Sequence, residues 1–287
     1  MGRIAPFRAL RFDVGRIGDP GAVWAPPYDV IKGDAASELR ARHSNNIVRI
    51  TNPEGDGPAR YVEAAETLAA WTTQGILARD AEPSVYVHRH RFDFAGAPHV
   101  RTGVWALTRL VPFDSGVVLP HEHTMRGPKA DRLALMRACR TQLSPIFFIC
   151  SDPNERIREA LAECADGIAT ETTEFPAGHG HEIWRVSGGA ATQLASILAD
   201  QILLIADGHH RYETALAYRE GLIGEGAPQS GDGAHHYLLA YIVPEGDPGL
   251  LLLPTHRIVT GARVDWTEAI GRVEDRFQVR RLDEAEV

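Results

Sequence analysis

The sequence is poor in cysteine, and its few cysteines are not paired. Cys139, Cys150 and Cys164 are the only three, with no CxxC spacing. An odd set without ligand spacing argues against a disulfide framework and against a thiolate metal knuckle, and it suits a reducing compartment. No apolar run reaches the roughly 18 residues of a membrane span. The first residues, MGRIAPFRAL, carry no apolar core of signal-peptide length. A cytoplasmic protein without a membrane partner is therefore expected. Positive charge is also in deficit: the formal net charge is −8, which makes nucleic acid a poor partner while leaving room for a local basic pocket. The chain holds no Gly-x-x-x-x-Gly-Lys-Ser/Thr loop, no Gly-x-Gly-x-x-Gly fingerprint and no Gly-x-Ser-x-Gly elbow. P-loop kinases, dinucleotide dehydrogenases and α/β-hydrolases lose their usual signatures. Repeats, heptads and low-complexity blocks are missing as well.

What the chain does have is length and apolar content for a sizeable core, 287 residues with 44% hydrophobic, enough for one large or two ordinary domains. It is rich in histidine. Of thirteen, ten fall in close pairs: His88/His90, His121/His123, His179/His181, His209/His210 and His235/His236. Such clustering invites a metal reading. For the strand pair His88/His90, a solvent-facing sheet surface is the plainer account.

The most informative stretch is ILLIADGHHRYETALAY, residues 202–218. An apolar strand-like run ends at Asp207. Gly208 permits a positive-φ turn, and a helix is expected from Tyr212. His209, His210 and Arg211 then stand where a helix begins, a place whose unpaired N–H groups and dipole favour an anion. Arg211 adds a bidentate fork for phosphate or carboxylate.

A second polar concentration runs from Leu119 to Arg132. It holds His121, Glu122, His123, Arg126, Lys129, Asp131 and Arg132 in a loop punctuated by Pro120 and Pro128. It leads into a helix expected over 131–139. Around these stretches, periodicity predicts helices over 34–43, with Asp34 as a possible N-cap, and over 59–74, 154–164, 191–199 and 266–277. Strands are expected over 47–50, 85–94, 99–110, 144–150, 236–243 and 250–257, the second and third forming a hairpin. Residues 221–233 read as a loop. Trp24-Ala25-Pro26-Pro27-Tyr28-Asp29 is a rigid aromatic-proline stretch suited to walling a pocket. His256-Arg257 ends an apolar run and is a further polar candidate. The mixture of hairpins and strand–helix alternation predicts an α+β protein with mixed or antiparallel sheets and packed helices. The expected division is 1–115, 116–260 and 261–287.

Asp207-Gly208-His209-His210-Arg211 followed by a helix resembles the ParB/sulfiredoxin-like superfamily, and within it the archaeal free serine kinases. Residues 131–139 and the Pro145-Ile146 strand match the helix and strand that precede the turn there. Over nearly its whole length the chain also resembles domain-of-unknown-function family 1015. The resemblance rests on Ala5-Pro6-Phe7-Arg8-Ala9, Ala25-Pro26-Pro27-Tyr28-Asp29-Val30, residues 119–124, residues 127–132, residues 205–215 and Leu253-Pro254-Thr255-His256-Arg257. Members of that family usually continue past the point where this chain stops, so 261–287 reads as the start of a shortened C-terminal region.

The superfamily resemblance implies a strand–turn–helix nucleotide-binding core. ATP or ADP with Mg²⁺ would bind near Gly208, His209 and Arg211, with no organic prosthetic group. Asp207 would hold the Mg²⁺ or orient a substrate hydroxyl, with His210 a further catalytic residue. Glu122 stands where those kinases carry a catalytic base. Lys129, Arg126 and Arg132 would offset charge on the transferring group. The implied function is phosphoryl transfer between a nucleotide and a small hydroxylated metabolite, serine or phosphoserine by resemblance, in either direction. Two alternatives stand beside it. One is a nucleotide-gated, ParB-like binding module in which homo-oligomerisation would matter. The other is a metal-dependent hydrolase built on His121, His123, Asp207 and His209.

Overall fold

The computed structural model describes residues 3–122, 124, 126–253, 265–274, 276 and 278, leaving aside the side chains of 126–128. By contacts the chain divides into two compact units, Met1–Leu250 and Leu251–Val287.

The first unit is built on one mixed sheet. Its strands are β1 (Ile4–Ala5), β4 (Ser84–Phe94), β5 (Ala97–Arg109), β6 (Val118–Leu119), β7 (Ile146–Cys150), β8 (Glu171–Glu174), β9 (Gly180–Ser187), β10 (Leu203–Asp207) and β11 (Tyr237–Pro244). They run in the order β6-β10-β7-β11-β5-β4-β9-β8, with β1 on β5. The short strands β2 (Leu10–Phe12) and β3 (Leu77–Arg79) pair separately. The β6–β10 and β7–β11 pairs are parallel, and the other pairs are antiparallel. The sheet therefore takes strands from both sides of residue 115. The helices are α1 (Val14–Ile17), α2 (Pro20–Val23), α3 (Ala35–Arg42), α4 (Val48–Thr51), α5 (Ala59–Thr73), α6 (Arg126–Cys139), α7 (Arg156–Cys164), α8 (Gly188–Ala199) and α9 (His209–Gly224). The fold is α+β, as the element pattern predicts. Among the described residues no helix is long and apolar enough to cross a membrane.

Strand alternation sends one set of side chains to each sheet face. Val85, Val87, Val104, Phe148, Ile205 and Ile242 line one face and pack with Ile157 and Leu161 of α7 and Leu194 and Leu198 of α8 in the main core. The opposite face carries Tyr86, His88, Trp105 and Tyr241. In the second unit, α10 (Trp266–Val273) is capped by Asp265, which accepts from Thr267 N and Glu268 N.

Several local expectations are corrected. Residues 47–50 form the helix α4 instead of a strand. The Asn46 side chain accepts from Val48 N at 3.0 Å and donates to the carbonyls of Ala22 and Trp24 at 2.9 Å each. That anchoring, with Val48 and Ile50 both fully buried, overrides the β-propensity of the run. Helix α6 starts at Arg126 instead of 131. Pro128 falls in its first turn, where a missing N–H costs nothing. Helix α9 starts at His209 instead of Tyr212 and runs on to Gly224, into the expected loop. Residues 250–253 are not in a strand, and the rest of that stretch lies outside the described residues.

His88 and His90 do not form a solvent-facing surface. His88 is buried and lies flat on Trp105, with ring centroids 4.7 Å apart. Its Nε2 pairs with His181 Nδ1 at 2.8 Å, and His90 Nε2 pairs with His179 Nδ1 at 2.9 Å. The β4–β9 pairing joins two histidine pairs that are far apart in the chain.

Candidate active site

Strand β10 ends at Asp207, and Gly208 turns the chain with φ +103°. A Cβ on Gly208 would also meet Ile146 Cδ1 at 3.1 Å, so both conformation and space call for glycine. Tyr212 N closes the first turn of α9 on the Gly208 carbonyl at 2.9 Å. Arg211 reaches back to the Asp207 carboxylate and the Pro145 carbonyl. This ties the turn to the start of β7.

The parallel register of β10 on β6, Leu203 to Val118 and Leu204 to Leu119, makes both strands end at the same edge of the sheet. The segment after β6 therefore emerges beside the Asp207–Arg211 turn. His121 Nδ1 donates to the Ile205 carbonyl at 2.7 Å. The His121 backbone N–H donates to His209 Nε2 at 3.2 Å. Glu122 Oε1 lies 3.2 Å from His209 Nδ1.

These contacts assign protons. An Nε2 that accepts leaves the ring proton of neutral His209 on Nδ1, facing Glu122. Burial pushes the His209 pKa down, against the pull of Glu122 and Asp207. A buried neutral imidazole thus orients an exposed carboxylate. His121 carries a proton on Nδ1, the one it donates to Ile205.

Glu213, one turn along α9, accepts from Thr124 Oγ1 at 2.7 Å and from Lys129 Nζ at 2.5 Å. Burial would raise its carboxyl, but the hydrogen bonds and charge of Lys129 and Thr124 outweigh it and hold Glu213 below the usual glutamate value. Further along α6, Asp131 accepts from Arg60 at 2.5 Å and Tyr61 at 2.7 Å, and from Arg132 Nε at 2.7 Å. Burial works against that carboxylate too, and these partners still lower its pKa. Arg132 donates to the Thr51 carbonyl at 2.7 Å, with its guanidinium 4.0 Å from the Tyr28 ring centroid. Tyr28, Arg132 and Arg211 line a small pocket of about 40 Å³.

The structure therefore brings His121, Glu122, Asp207, Gly208, His209, His210 and Arg211 to one edge. It links Lys129 to that edge through Glu213. It joins Arg132 to Asp131 in a network that clasps α6 to α5. The side chain of Arg126 and the candidates His123, His256 and Arg257 lie outside the described residues. Sequence reasoning passed over Glu213 and Thr124. Glu213 stands four residues after His209, and that helical spacing was the available signal.

The metal reading changes its membership. Among the described residues, His121, Glu122 and His209 each offer a ligand atom within 4.8 Å of the others, and Asp207 is not in that group. The three cysteines are free thiols, Cys139 and Cys150 buried.

Together the fold and site define an α+β protein built mainly on one mixed sheet, with a polar, histidine-rich cluster at a strand–turn–helix junction. The chain belongs to the family described as a protein of unknown function, DUF1015, whose model matches residues 4–286. Neither the curated proteins nor the solved structures contain a match to it.

Proposed function

We propose that this site transfers a phosphoryl group between a nucleotide and a small hydroxylated metabolite, with free serine or phosphoserine the substrate pair that the ParB/sulfiredoxin-like resemblance suggests. The observation that carries the reading is the Glu122 carboxylate, 3.2 Å from buried His209 at the first turn of α9, beside Asp207 and Arg211. Phosphoryl transfer asks a protein for positioning and charge more than for covalent chemistry, and this edge supplies both. The helix start offers backbone N–H groups to a phosphate chain. Arg211 and Lys129, held by Asp207 and Glu213, are cations that can turn to phosphate oxygens. Glu122, oriented by the His209 Nδ1–H, accepts the proton of the substrate hydroxyl as the new O–P bond forms and the bond to the leaving nucleotide breaks. The same path run backwards takes phosphate from phosphoserine.

Asp207 is a half-exposed hard-oxygen donor and fits the Mg²⁺ that accompanies a nucleotide. When bound, that ion would offset charge on the phosphate oxygens. The test is ³¹P NMR of the whole chain with ATP and serine, and with ADP and phosphoserine. Turnover is expected, and Glu122→Gln should lower it roughly 10²–10⁴-fold. A chain that turns over no nucleotide–metabolite pair overturns the reading.

A metal-dependent hydrolase is the second reading, favoured by the convergence of His121, Glu122 and His209. It requires the ring proton of neutral His209 to move from Nδ1 to Nε2, which costs the hydrogen bond from the His121 N–H. Metal analysis of tag-free protein separates the readings, and stoichiometric Zn²⁺ or Mn²⁺ would favour the hydrolase.

A further inference from the structure

On the sheet face opposite the main core lies a cavity of about 450 Å³. Protein interiors hold few voids larger than a water molecule, and small-molecule sites begin at about 300 Å³. Trp105 and Leu107 of β5 and Leu239 of β11 line it. They stand on central strands yet remain only half-buried, because they face this space. Phe7, Trp24 and Tyr86 supply further aromatic wall. The indole N–H groups of Trp24 and Trp105 and the amide of Gln142 have no protein hydrogen-bond partner among the described residues. An aromatic wall with a few unused donors, and one amide able both to donate and to accept, matches a flat heteroaromatic ring with polar edges.

The cavity adjoins the candidate active site. Thr141, Gln142 and Leu143 line both it and the small pocket that holds Arg132 and Arg211. Pro145 lines the cavity, and its carbonyl accepts from Arg211. Arg132 and Arg211 lie across the shared Thr141–Leu143 wall; Arg8, Arg79 and an Arg11 paired with Asp80 and Glu171 also border the cavity, and the clustered Phe7, Trp24 and Trp105 form its apolar end. Serine is too small and too polar to account for the apolar end. We propose that this cavity is the base subsite, taking the purine ring of a nucleotide whose phosphates lie at the Asp207–Arg211 turn. The assignment rests on the nucleotide reading of that turn.

The test compares ATP, inorganic tripolyphosphate and adenosine by calorimetry and tryptophan fluorescence on the whole chain. ATP should bind roughly tenfold or more tightly than tripolyphosphate. Adenosine alone should bind and change the fluorescence. Leu107→Trp, which fills the cavity from β5, two strands from β7 and Pro145, should abolish adenosine binding and reduce ATP to the level of tripolyphosphate, leaving tripolyphosphate unchanged. If that variant does not fold, Gln142→Leu serves the same comparison with a smaller loss. Equal binding of ATP and tripolyphosphate, unmoved by either variant, overturns the base subsite and leaves the phosphate turn standing. Absence of binding by both overturns the nucleotide reading and this assignment with it.

Discussion

Lowering the pH from 7.5 to 5.0 should destabilise this protein through the histidines between β4 and β9. The proton order follows from their contacts. His181 Nε2 must carry hydrogen to donate to the Phe175 carbonyl at 2.7 Å, so its Nδ1 accepts from His88 Nε2–H. The remaining His88 nitrogen, Nδ1, is buried without a hydrogen-bond partner among the described residues. A second proton on His88 would place a cation there, near the Arg101 guanidinium. Burial first, then His181, His90 and Arg101, push His88 well below the ordinary histidine value. Burial and the same kind of neighbours push His90 down to about 3.

A lowered histidine pKa means the unfolded chain binds the proton first. The stability contribution is complete above the unfolded value of about 6.5 and is lost as pH falls toward the folded value. The slope is about 1.4 kcal/mol per pH unit for each proton by which the states differ. At pH 5.0 each histidine still neutral in the fold thus costs about 2 kcal/mol. Two cost about 4, against a typical total of 5–15, with His90 contributing less because its ring is partly exposed. Urea unfolding at pH 7.5, 6.0 and 5.0 measures this. His88→Phe keeps a ring on Trp105 and should weaken the fold at pH 7.5 by about 1–3 kcal/mol, since His181 loses its donor. It should also flatten the slope between pH 6.0 and 5.0 by at least about 1 kcal/mol per unit. Identical slopes in variant and parent would refute the buried-neutral assignment.

Other changes test other parts of the molecule. Gly208→Ala forces a side chain into φ +103° with Ile146 at 3.1 Å and should cost about 1–3 kcal/mol in urea unfolding; an unchanged midpoint would deny the turn geometry. Asp131→Ala removes the shared acceptor of Arg60, Tyr61 and Arg132 and should cost about 1.5–3 kcal/mol. Because the Asp131 pKa is lowered in the fold, that contribution is present at neutral pH and disappears only as pH falls below the unfolded value of about 3.9. Burial pushes the thiols of Cys139 and Cys150 up to about 11 and about 12. Burial and Glu163 raise the Cys164 thiol too, but it is only half-buried, so native protein at pH 8 should label first at Cys164 alone, with all three reacting in urea. Fast labelling of two or more sites in the native state would contradict the packing of α6 and β7.

Where the fold was legible in the sequence, one kind of local signal sufficed. Tyr61, Ala64, Leu68 and Trp71 announce α5 by spacing alone, and Ala95-Gly96 announces the β4–β5 hairpin. Ile47 to Ile50 misled because the interaction that decides their conformation, the Asn46 side chain bonded to Ala22 and Trp24, is not local. The burial of His88 was hidden for the same reason. Alternation places it on a face of β4, and only the pairing with β9 brings His181 to cover it.

The candidate site divides along the same line. Asp207-Gly208 followed by cations can be read as a turn at a helix start from four or five residues. The partnership of that turn with Glu122 depends on two residue pairs, Leu203 with Val118 and Leu204 with Leu119. Strand β6 is only two residues long and has no periodicity to read. Its parallel register nevertheless decides that His121 and Glu122 leave the sheet at the edge where α9 begins. Had β6 paired antiparallel, the same residues would have left at the opposite edge, and His209 would face no carboxylate from that loop. The chemistry proposed for this protein therefore hangs on a strand of two residues. A substitution that breaks the pair, such as Val118→Pro, should cost activity through Glu122 and His209 even though it touches neither.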